Sequence, residues 1–241
     1  MQKWKQAFQV AKLELSHSWQ GFVLCLILTV FLSFLFIYNL DAYLNTQVMG
    51  YDFFFITFFF LGFVWAKPNY FQLQNQSSGF IAAPVFLMQL QLPIEQDILI
   101  KSRFIVYFFY SLPWQICFLI LFYASSINEV LSVTAYLTFS IMWLSVTLYA
   151  GTLIPISDAG EQGFFTTKIG GIVGALLYFS IVFMFMFPIY ILTNHGIVYW
   201  SIILAQKWPW LAAAISLIIG FTAVNIHQVY MKKKINKLNY L

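Results

Sequence analysis

The ionisable side chains of this 241-residue chain are few, and their spacing decides which chemistry they could perform. Paired carboxylates could act as general acid and base, and histidines at Glu-x-x-His or His-x-x-x-His spacing could bind a metal ion. The histidines, His17, His195 and His227, are far apart in the sequence. Seven of the eight acidic residues lie at the ends of long apolar segments or in the connections between them: Asp41, Asp52, Glu129, Glu95, Asp97, Asp158 and Glu161. We therefore expect no catalytic residues and no metal site.

A phosphate-binding loop is also missing from the sequence. The Gly-x-x-x-x-Gly-Lys-Ser/Thr loop cradles nucleotide phosphates, but no glycine in this chain is followed by lysine. The sequence also contains no basic patch interleaved with polar side chains, the pattern that would indicate a nucleic-acid partner. We expect this chain to bind no cofactor, so any ATP that drives its function must be hydrolysed by another protein.

Composition indicates the kind of scaffold that holds these residues. Hydrophobic residues make up 61% of the chain and charged residues only 8%, whereas about a quarter of a soluble domain is charged. A membrane-spanning helix needs about 20 mostly apolar residues, because its backbone groups must be satisfied within the segment. Six segments qualify or nearly qualify: 21–38, 48–66, 104–124, 130–154, 169–192 and 210–226. The predicted fold is an all-α polytopic membrane protein with six transmembrane helices in a single domain, 1–241.

The positive charges predict the orientation of these spans. Positively charged residues are enriched in cytoplasmic connections, and only Lys207 falls on the other side of the predicted membrane. The remaining eleven of the twelve Lys and Arg residues lie at the two ends of the chain or in alternate connections: Lys3, Lys5, Lys12, Lys67, Lys101, Arg103, Lys168, Lys232, Lys233, Lys234 and Lys237. Both termini are therefore predicted to be cytoplasmic.

The segment before the first span, 1–19, has helical periodicity. Trp4, Phe8, Leu15 and Trp19 fall on one arc at 3.6 residues per turn, with lysines and glutamines beside or opposite them. This pattern predicts an amphipathic helix at the membrane interface. A solvated leader with a partly apolar face is the alternative.

The longest predicted cytoplasmic connection, 67–103, contains helix boundaries set by proline. Its first part, 68–79, lacks hydrophobic periodicity and is predicted to be a loop. Pro84 begins a short apolar helix, 84–91, which Pro93 ends. A second helix is expected to start at Pro93, with Glu95 and Asp97 in its first turn, and to continue into the third span.

The remaining connections complete the predicted organisation. Residues 155–168 form a cytoplasmic loop, and 193–209 form an outer re-entrant or interfacial segment, because its apolar run is about half the length needed to cross. Gly170 and Gly174 are four residues apart in the fifth span and favour close helix packing, within one chain or across a dimer. Residues 227–241 form a basic tail, a solvated flank or a site for anionic lipid.

This order of elements resembles the ABC-2 class of ABC transporter permeases over essentially the whole chain. The stretch LPIEQDILIKSRF, 92–104, looks like the Leu-Pro entry and basic segment that lead to the third span in bacterial members. The resemblance implies a transmembrane subunit in the bacterial cytoplasmic membrane. This subunit would pair with a second permease copy or a paralogue and with two ABC ATPase subunits, which bind ATP and Mg. The expected cargo is hydrophobic or amphipathic, with an amphipathic or antimicrobial peptide preferred.

The resemblance also implies roles for particular residues. Helix 84–91 would be the coupling helix and the leader would be the connecting helix. The residues expected to meet or flank the ATPase are Pro84, Phe86, Leu87, Met88 and Leu90, with Glu95, Asp97, Lys101 and Arg103 as polar neighbours. Membrane-surface attachment of both helices without a partner is the alternative. For the whole chain, the alternatives are a membrane assembly factor or scaffold that moves nothing, a secondary transporter, and, last, an intramembrane enzyme.

Overall fold

The computed structural model describes residues 2–46, 48–61, 67–68, 71–77 and 80–238. Nearly all of them are helical. The helices are α1 (Gln2–His17), α2 (Trp19–Tyr38), α3 (Leu40–Thr46), α4 (Met49–Leu61), α5 (Pro84–Leu90), α6 (Gln96–Tyr123), α7 (Ile127–Val130), α8 (Val133–Gly151), α9 (Leu153–Asp158), α10 (Lys168–Thr193), α11 (Ile197–Lys207) and α12 (Pro209–Lys237). The strands are β1 (Gln74–Ser77), β2 (Phe80–Ala82) and β3 (Glu161–Gln162), and a 3-10 turn spans Phe164–Thr166.

Five of the six predicted spans correspond to helices long and apolar enough to cross a membrane: α2, α6, α8 continued by α9, α10 and α12. The predicted second span begins as α4, a shorter apolar helix of 13 residues, and its predicted continuation over 62–66 lies outside the described residues. The prediction that the helix before the third span continues into it is confirmed, since α6 runs unbroken for 28 residues. Its predicted start at Pro93 is wrong, because α6 begins at Gln96, with Glu95 as the preceding N-cap residue and Asp97 in the first turn. Several long apolar helices thus indicate a membrane-embedded, multi-pass protein.

Polar contacts link the segments that connect the helices to one another at each end of the helix bundle. The end that holds α1 and the last turns of α12, here called the basic end, is crossed by ion pairs between distant segments: Lys3–Glu95, Lys232–Asp97, Lys67–Asp158 and Lys234–Glu161. At the opposite end, the Gln206 amide donates to the Val130 carbonyl at 2.8 Å, and the Asp52 carboxylate accepts from the backbone of Val198 at 2.7 Å. The segments with most of the positive charge therefore share one end.

Aromatic side chains form the centre of the bundle. Phe55 of α4 is fully buried and lies 4.7 Å, ring centre to ring centre, from Trp143 of α8 and 5.5 Å from Phe118 of α6. Such edge-to-face contacts add to the stabilisation from apolar burial. Half of the most apolar stretch of α6 is buried, against 6% for α10. Helix α6 is therefore central, and α10 lies at the periphery.

The prediction of a loop over 68–79 is wrong for residues 74–77, which form strand β1. The prediction of a loop over 155–168 is wrong in part, since helix α9 continues to Asp158 and strand β3 occupies 161–162. The three short strands make an antiparallel sheet in the order β1-β2-β3, with Phe80 opposite Gln162. Gly160 precedes β3 with φ of 106°, and a Cβ there would collide with the Phe80 ring. The fold is therefore not wholly α-helical, and the sheet joins the connection after α4 to the connection after α9.

The predicted outer segment forms α11, which at 11 residues is about 17 Å long and too short to cross a bilayer. Its buried face, which includes Val198, Ile202 and Ala205, packs mainly against α8 and α12. Asn194, in the left-handed conformation with φ of 54°, ends α10 and allows the chain to turn into this helix.

Candidate functional site

Helix α1 packs along α6 through a stripe of small and polar residues. Ala7, Ala11, Glu14 and Ser18 are spaced four, three and four residues apart, and each is fully buried. This spacing places them on one helix face, and the two alanines allow the helix backbones to approach closely. This face places the Glu14 carboxylate against the part of α6 that lies at the basic end of the bundle.

Glu14 and Arg103 form a buried ion pair there. The Arg103 Nη1 donates to the Glu14 Oε2 at 2.8 Å, and the two side chains are 0% and 1% exposed. Removing two charges from water costs several kcal/mol per ion, which only good geometry and further hydrogen bonds can offset. The pair therefore requires α1 and α6 to stay in register.

Further polar groups extend the pair to other elements. We call the set made of Glu14, Ser18, Lys67, Gln89, Arg103, Tyr110 and Asp158 the Glu14–Arg103 network. The Tyr110 hydroxyl donates to Glu14 Oε1 at 3.2 Å, and the Arg103 Nη2 donates to Gln89 Oε1 at 3.4 Å. The Asp158 carboxylate lies 3.9 Å from Arg103 Nη1 and accepts from Lys67 Nζ at 2.8 Å. One network thus joins α1, α5, α6 and α9.

Helix α5 is held against this network by its apolar side. Phe86 is fully buried in a cluster with Leu99, Phe104 and Met231, so it points into the protein. The backbone N–H of Ala83, just before Pro84 begins the helix, donates to the Asp158 carbonyl at 3.2 Å. Helix α5 is therefore fixed from both its side and its start.

The exposed surface of α5 is smaller than the sequence suggested. Met88 is 68% exposed and Leu92, just beyond the helix, is 53% exposed. Leu87 and Leu90 are half-buried, and Leu90 packs on the same cluster as Phe86. Of the apolar residues predicted to meet a partner, Met88 is therefore the one that projects most.

The predicted polar neighbours fall into two groups. Arg103 is buried in the network, whereas Glu95 and Asp97 lie at the surface and pair with Lys3 at 2.6 and 3.6 Å. The hydrogen bond to Glu95 is the main cause that raises the pKa of Lys3. The Lys101 Nζ lies 5.3 Å from the centre of the Trp4 ring. Exposed ion pairs contribute little to stability, so these contacts mainly orient α1 and α6.

The aromatic face predicted for the leader points away from the bundle. Trp4, Phe8 and Trp19 are exposed, and Leu15 is half-buried against the aromatic core. This distribution fits the predicted interfacial helix, since aromatic side chains are favoured at membrane boundaries. In α10, Gly170 is buried and Gly174 is half-buried.

A second buried polar group, the Asp52 cluster, lies at the opposite end and consists of Tyr43, Asp52 and the start of α11. Asp52 Oδ1 accepts from the Tyr43 hydroxyl at 2.9 Å and from the Val198 N–H at 2.7 Å, and the Tyr43 hydroxyl accepts from the Tyr199 N–H at 3.1 Å. Burial raises the pKa of Tyr43 far above its ordinary value, so the phenol keeps the proton that it donates. A Cβ on Gly196 would collide with both side chains. Asp52 thus caps the N-terminus of α11, where a carboxylate is favoured.

Sequence reasoning missed both polar groups. Glu14 lies in a segment judged by its aromatic arc, and its partner is 89 positions further along the chain. The stripe of Ala7, Ala11, Glu14 and Ser18 was the available indication, because small residues at helical spacing favour close packing. Within the described part of the chain, no cluster of three His, Cys, Asp or Glu side chains could hold a metal ion.

Long apolar helices packed around an aromatic core, with charged residues paired at one end, define a membrane-embedded, multi-pass helical protein. Comparison with family models, with curated proteins and with solved structures finds no match for this chain. The residues and contacts of this chain are therefore the basis for proposing its function.

Proposed function

We propose that this chain is the transmembrane subunit of an ATP-driven exporter of the ABC-2 class. The observation that carries the proposal is the Glu14–Arg103 pair, because it joins the leader helix to the central helix α6 through buried charges and reaches the short helix α5 through a hydrogen bond from Arg103 to Gln89. A helix that must transmit force from a partner needs rigid contacts to the spans. Helix α5 has them in Phe86, which is fully buried, and in Gln89.

The proposed partners are two ABC ATPase subunits on the cytoplasmic side, which bind ATP and Mg, and a second copy of this chain or a paralogue. An ATPase groove would receive Met88 and Leu92, the exposed apolar side chains of the α5 region. Closure of the ATPase dimer would shift α5, and the network would carry that shift to α1 and α6. Such a shift moves cargo only if the cargo interacts differently with the two states.

The proposed cargo is hydrophobic or amphipathic, with an amphipathic or antimicrobial peptide preferred. An open apolar depression of about 470 Å³ lies between α4 and α10 and is lined by Phe53, Phe179, Phe183 and Met184, with Ser180 among them. Its aromatic walls suit apolar cargo better than a sugar or a bare ion. Most of the other aromatic side chains named above are packed inside the subunit and would not meet cargo.

Copurification with candidate ATPases tests the proposal. We expect wild-type protein to retain an ATPase through size-exclusion chromatography and Met88→Asp to lose it, because a charge would enter an apolar contact. Trp208→Asp is the matched control: Trp208 is 59% exposed, lies at the opposite end, and precedes α12 at a position where Asp is favoured. If no ATPase is retained by the wild type, or if Met88→Asp binds as well as the control, the proposal fails.

The proposed orientation has its own test. With both termini cytoplasmic, a cysteine replacing Trp208 should react with a membrane-impermeant maleimide on intact bacterial cells. A cysteine replacing Met88 should react only after the cells are permeabilised. The reverse pattern would refute the orientation and with it the cytoplasmic ATPase contact.

A further inference from the structure

A cavity of about 580 Å³ lies at the opposite end of the bundle, between α2, α3 and the start of α4. Its size falls within the range of small-molecule binding sites, roughly 300 to 1,000 Å³. The walls that matter here are Leu35 and Phe36 of α2, Tyr43 of α3, and Gly50 and Tyr51 of α4. No residue of the Glu14–Arg103 network lines it.

The chemistry of the walls selects an apolar occupant. The Tyr43 hydroxyl is engaged by Asp52 and by the Tyr199 N–H, and the Tyr51 hydroxyl donates to the Phe36 carbonyl at 3.2 Å. The two tyrosine rings stack with their centres 4.3 Å apart. Because these hydroxyls already have partners, the rings offer the cavity their faces, and a polar group inside would lose its hydrogen bonds to water.

The cavity is continuous with the lipid-facing surface of the bundle. Leu35 and Phe54, which line it, are 49% and 64% exposed, and Phe31 on the neighbouring turn of α2 is 63% exposed. The exposed side chain of Asn39 lies at the end of α2, on the rim. An amphiphile could therefore enter from the membrane with its chain between α2 and α4 and its polar end beside Asn39.

We propose that this cavity binds a single acyl chain of an amphiphile, and that its occupancy stabilises α11. The acyl chain would pack against the Tyr43 ring. The hydroxyl of this tyrosine donates to Asp52 and accepts from the Tyr199 N–H at the start of α11. Restricting Tyr43 therefore restricts the N-terminus of that helix. The amphiphile is a bilayer phospholipid or a free fatty-acyl compound, since both present the same chain. Binding of the acyl chain in this cavity does not require an ATPase partner.

Photolabelling in lipid nanodiscs tests the site. Two probes are used, palmitic acid with a diazirine on its chain and a phospholipid with the same group on one acyl chain, and labelled positions are mapped by mass spectrometry. We expect labelling within 32–54 by at least one probe. Gly50→Leu should reduce it at least fivefold, because among the described residues the nearest atom to a Cβ there is 3.9 Å away and the added side chain would fill the cavity. Gly171→Leu is the control and should label like wild type, because a Cβ at this glycine of α10 meets no atom of the described residues within 4 Å.

Hydrogen exchange tests the coupling to α11. In lipid-free detergent micelles, added palmitic acid, or the added phospholipid if only that probe labels, should slow exchange of the Val198 and Tyr199 amides at least threefold in the wild type and leave them unchanged in Gly50→Leu. Ala42→Leu fills the cavity from α3, so agreement between the two variants separates filling from misfolding.

Equal labelling of wild type and both filling variants would overturn the site, as would no labelling by either probe. Unchanged exchange with full labelling would overturn the coupling. Labelling by fatty acid alone would identify a free amphiphile, and labelling by phospholipid would identify a membrane lipid.

Discussion

Removing the Glu14 carboxylate should destabilise the protein strongly. In Glu14→Ala, the Arg103 guanidinium stays fully buried, and its polar partners among the described residues are then the Gln89 oxygen at 3.4 Å and the Asp158 carboxylate at 3.9 Å. Removing one partner of a buried ion pair costs about 3–5 kcal/mol. Because Asp158 remains near the guanidinium, we expect a loss at the lower end, about 3 kcal/mol.

The double variant Glu14→Leu with Arg103→Met separates the charge pair from the packing. Apolar residues of similar size often replace a buried ion pair at little or no cost. We therefore expect the double variant to be more stable than Glu14→Leu or Arg103→Met alone. The Tyr110 hydroxyl then loses its hydrogen bond to Glu14 Oε1, which keeps the double variant somewhat below wild type.

Unfolding by titration with sodium dodecyl sulfate in mixed micelles measures these differences. Glu161→Ala is the matched control, because Glu161 is an exposed acid whose contact with Lys234 is 3.5 Å long, and we expect no measurable change. The reasoning is refuted if Glu14→Ala is as stable as this control. It is also refuted if the effects of the two single substitutions simply add in the double variant, since coupled charges must give a non-additive cycle.

Other substitutions test the remaining contacts. Gly196→Ala should lower stability by about 1–3 kcal/mol, as in other overpacked sites, because the new methyl collides with the Asp52 carboxylate; thermal unfolding measures it, and a midpoint equal to wild type would contradict it. Phe55→Ala should cost about 3–5 kcal/mol, since Phe55 is fully buried at the centre of the aromatic core, and the same unfolding titration checks it. Lys232→Gln should leave stability unchanged, because its pair with Asp97 is exposed; a clear loss would show that the pair is part of a stronger network.

Hydropathy predicted the long helices because a segment that crosses the membrane must be long and apolar, and only a helix satisfies all its backbone groups within one such segment. The position of Pro84 predicted the start of α5 for a similarly local reason. An N–H in the first turn of a helix has no partner within that helix, so proline, which lacks an N–H, loses no hydrogen bond there. The same local reasoning missed strand β1. Gln74, Asn75 and Gln76 show no alternation of apolar and polar residues, and Gln74 and Asn75 form a strand because β2 lies beside them to pair with.

The candidate sites were less predictable because they depend on contacts between distant segments. Phe86 looked available to a partner, since the sequence does not show that Leu99 and Phe104 of α6 cover it. Asp52 looked isolated at the end of a span, yet it caps a helix that begins 145 positions later, at Ile197. A single acidic residue in an apolar segment becomes informative only when its partner is known.

The exposure of α10 has a consequence for how the protein fits its bilayer. This helix has 26 residues, so it is about 39 Å long, whereas the hydrocarbon layer is about 30 Å thick. With 6% of its apolar stretch buried, neighbouring helices do little to fix its angle, and hydrophobic mismatch must be relieved by tilting or by local thickening of the lipid. The tilt of α10 should therefore follow membrane thickness, which makes this helix the part of the protein most responsive to lipid composition.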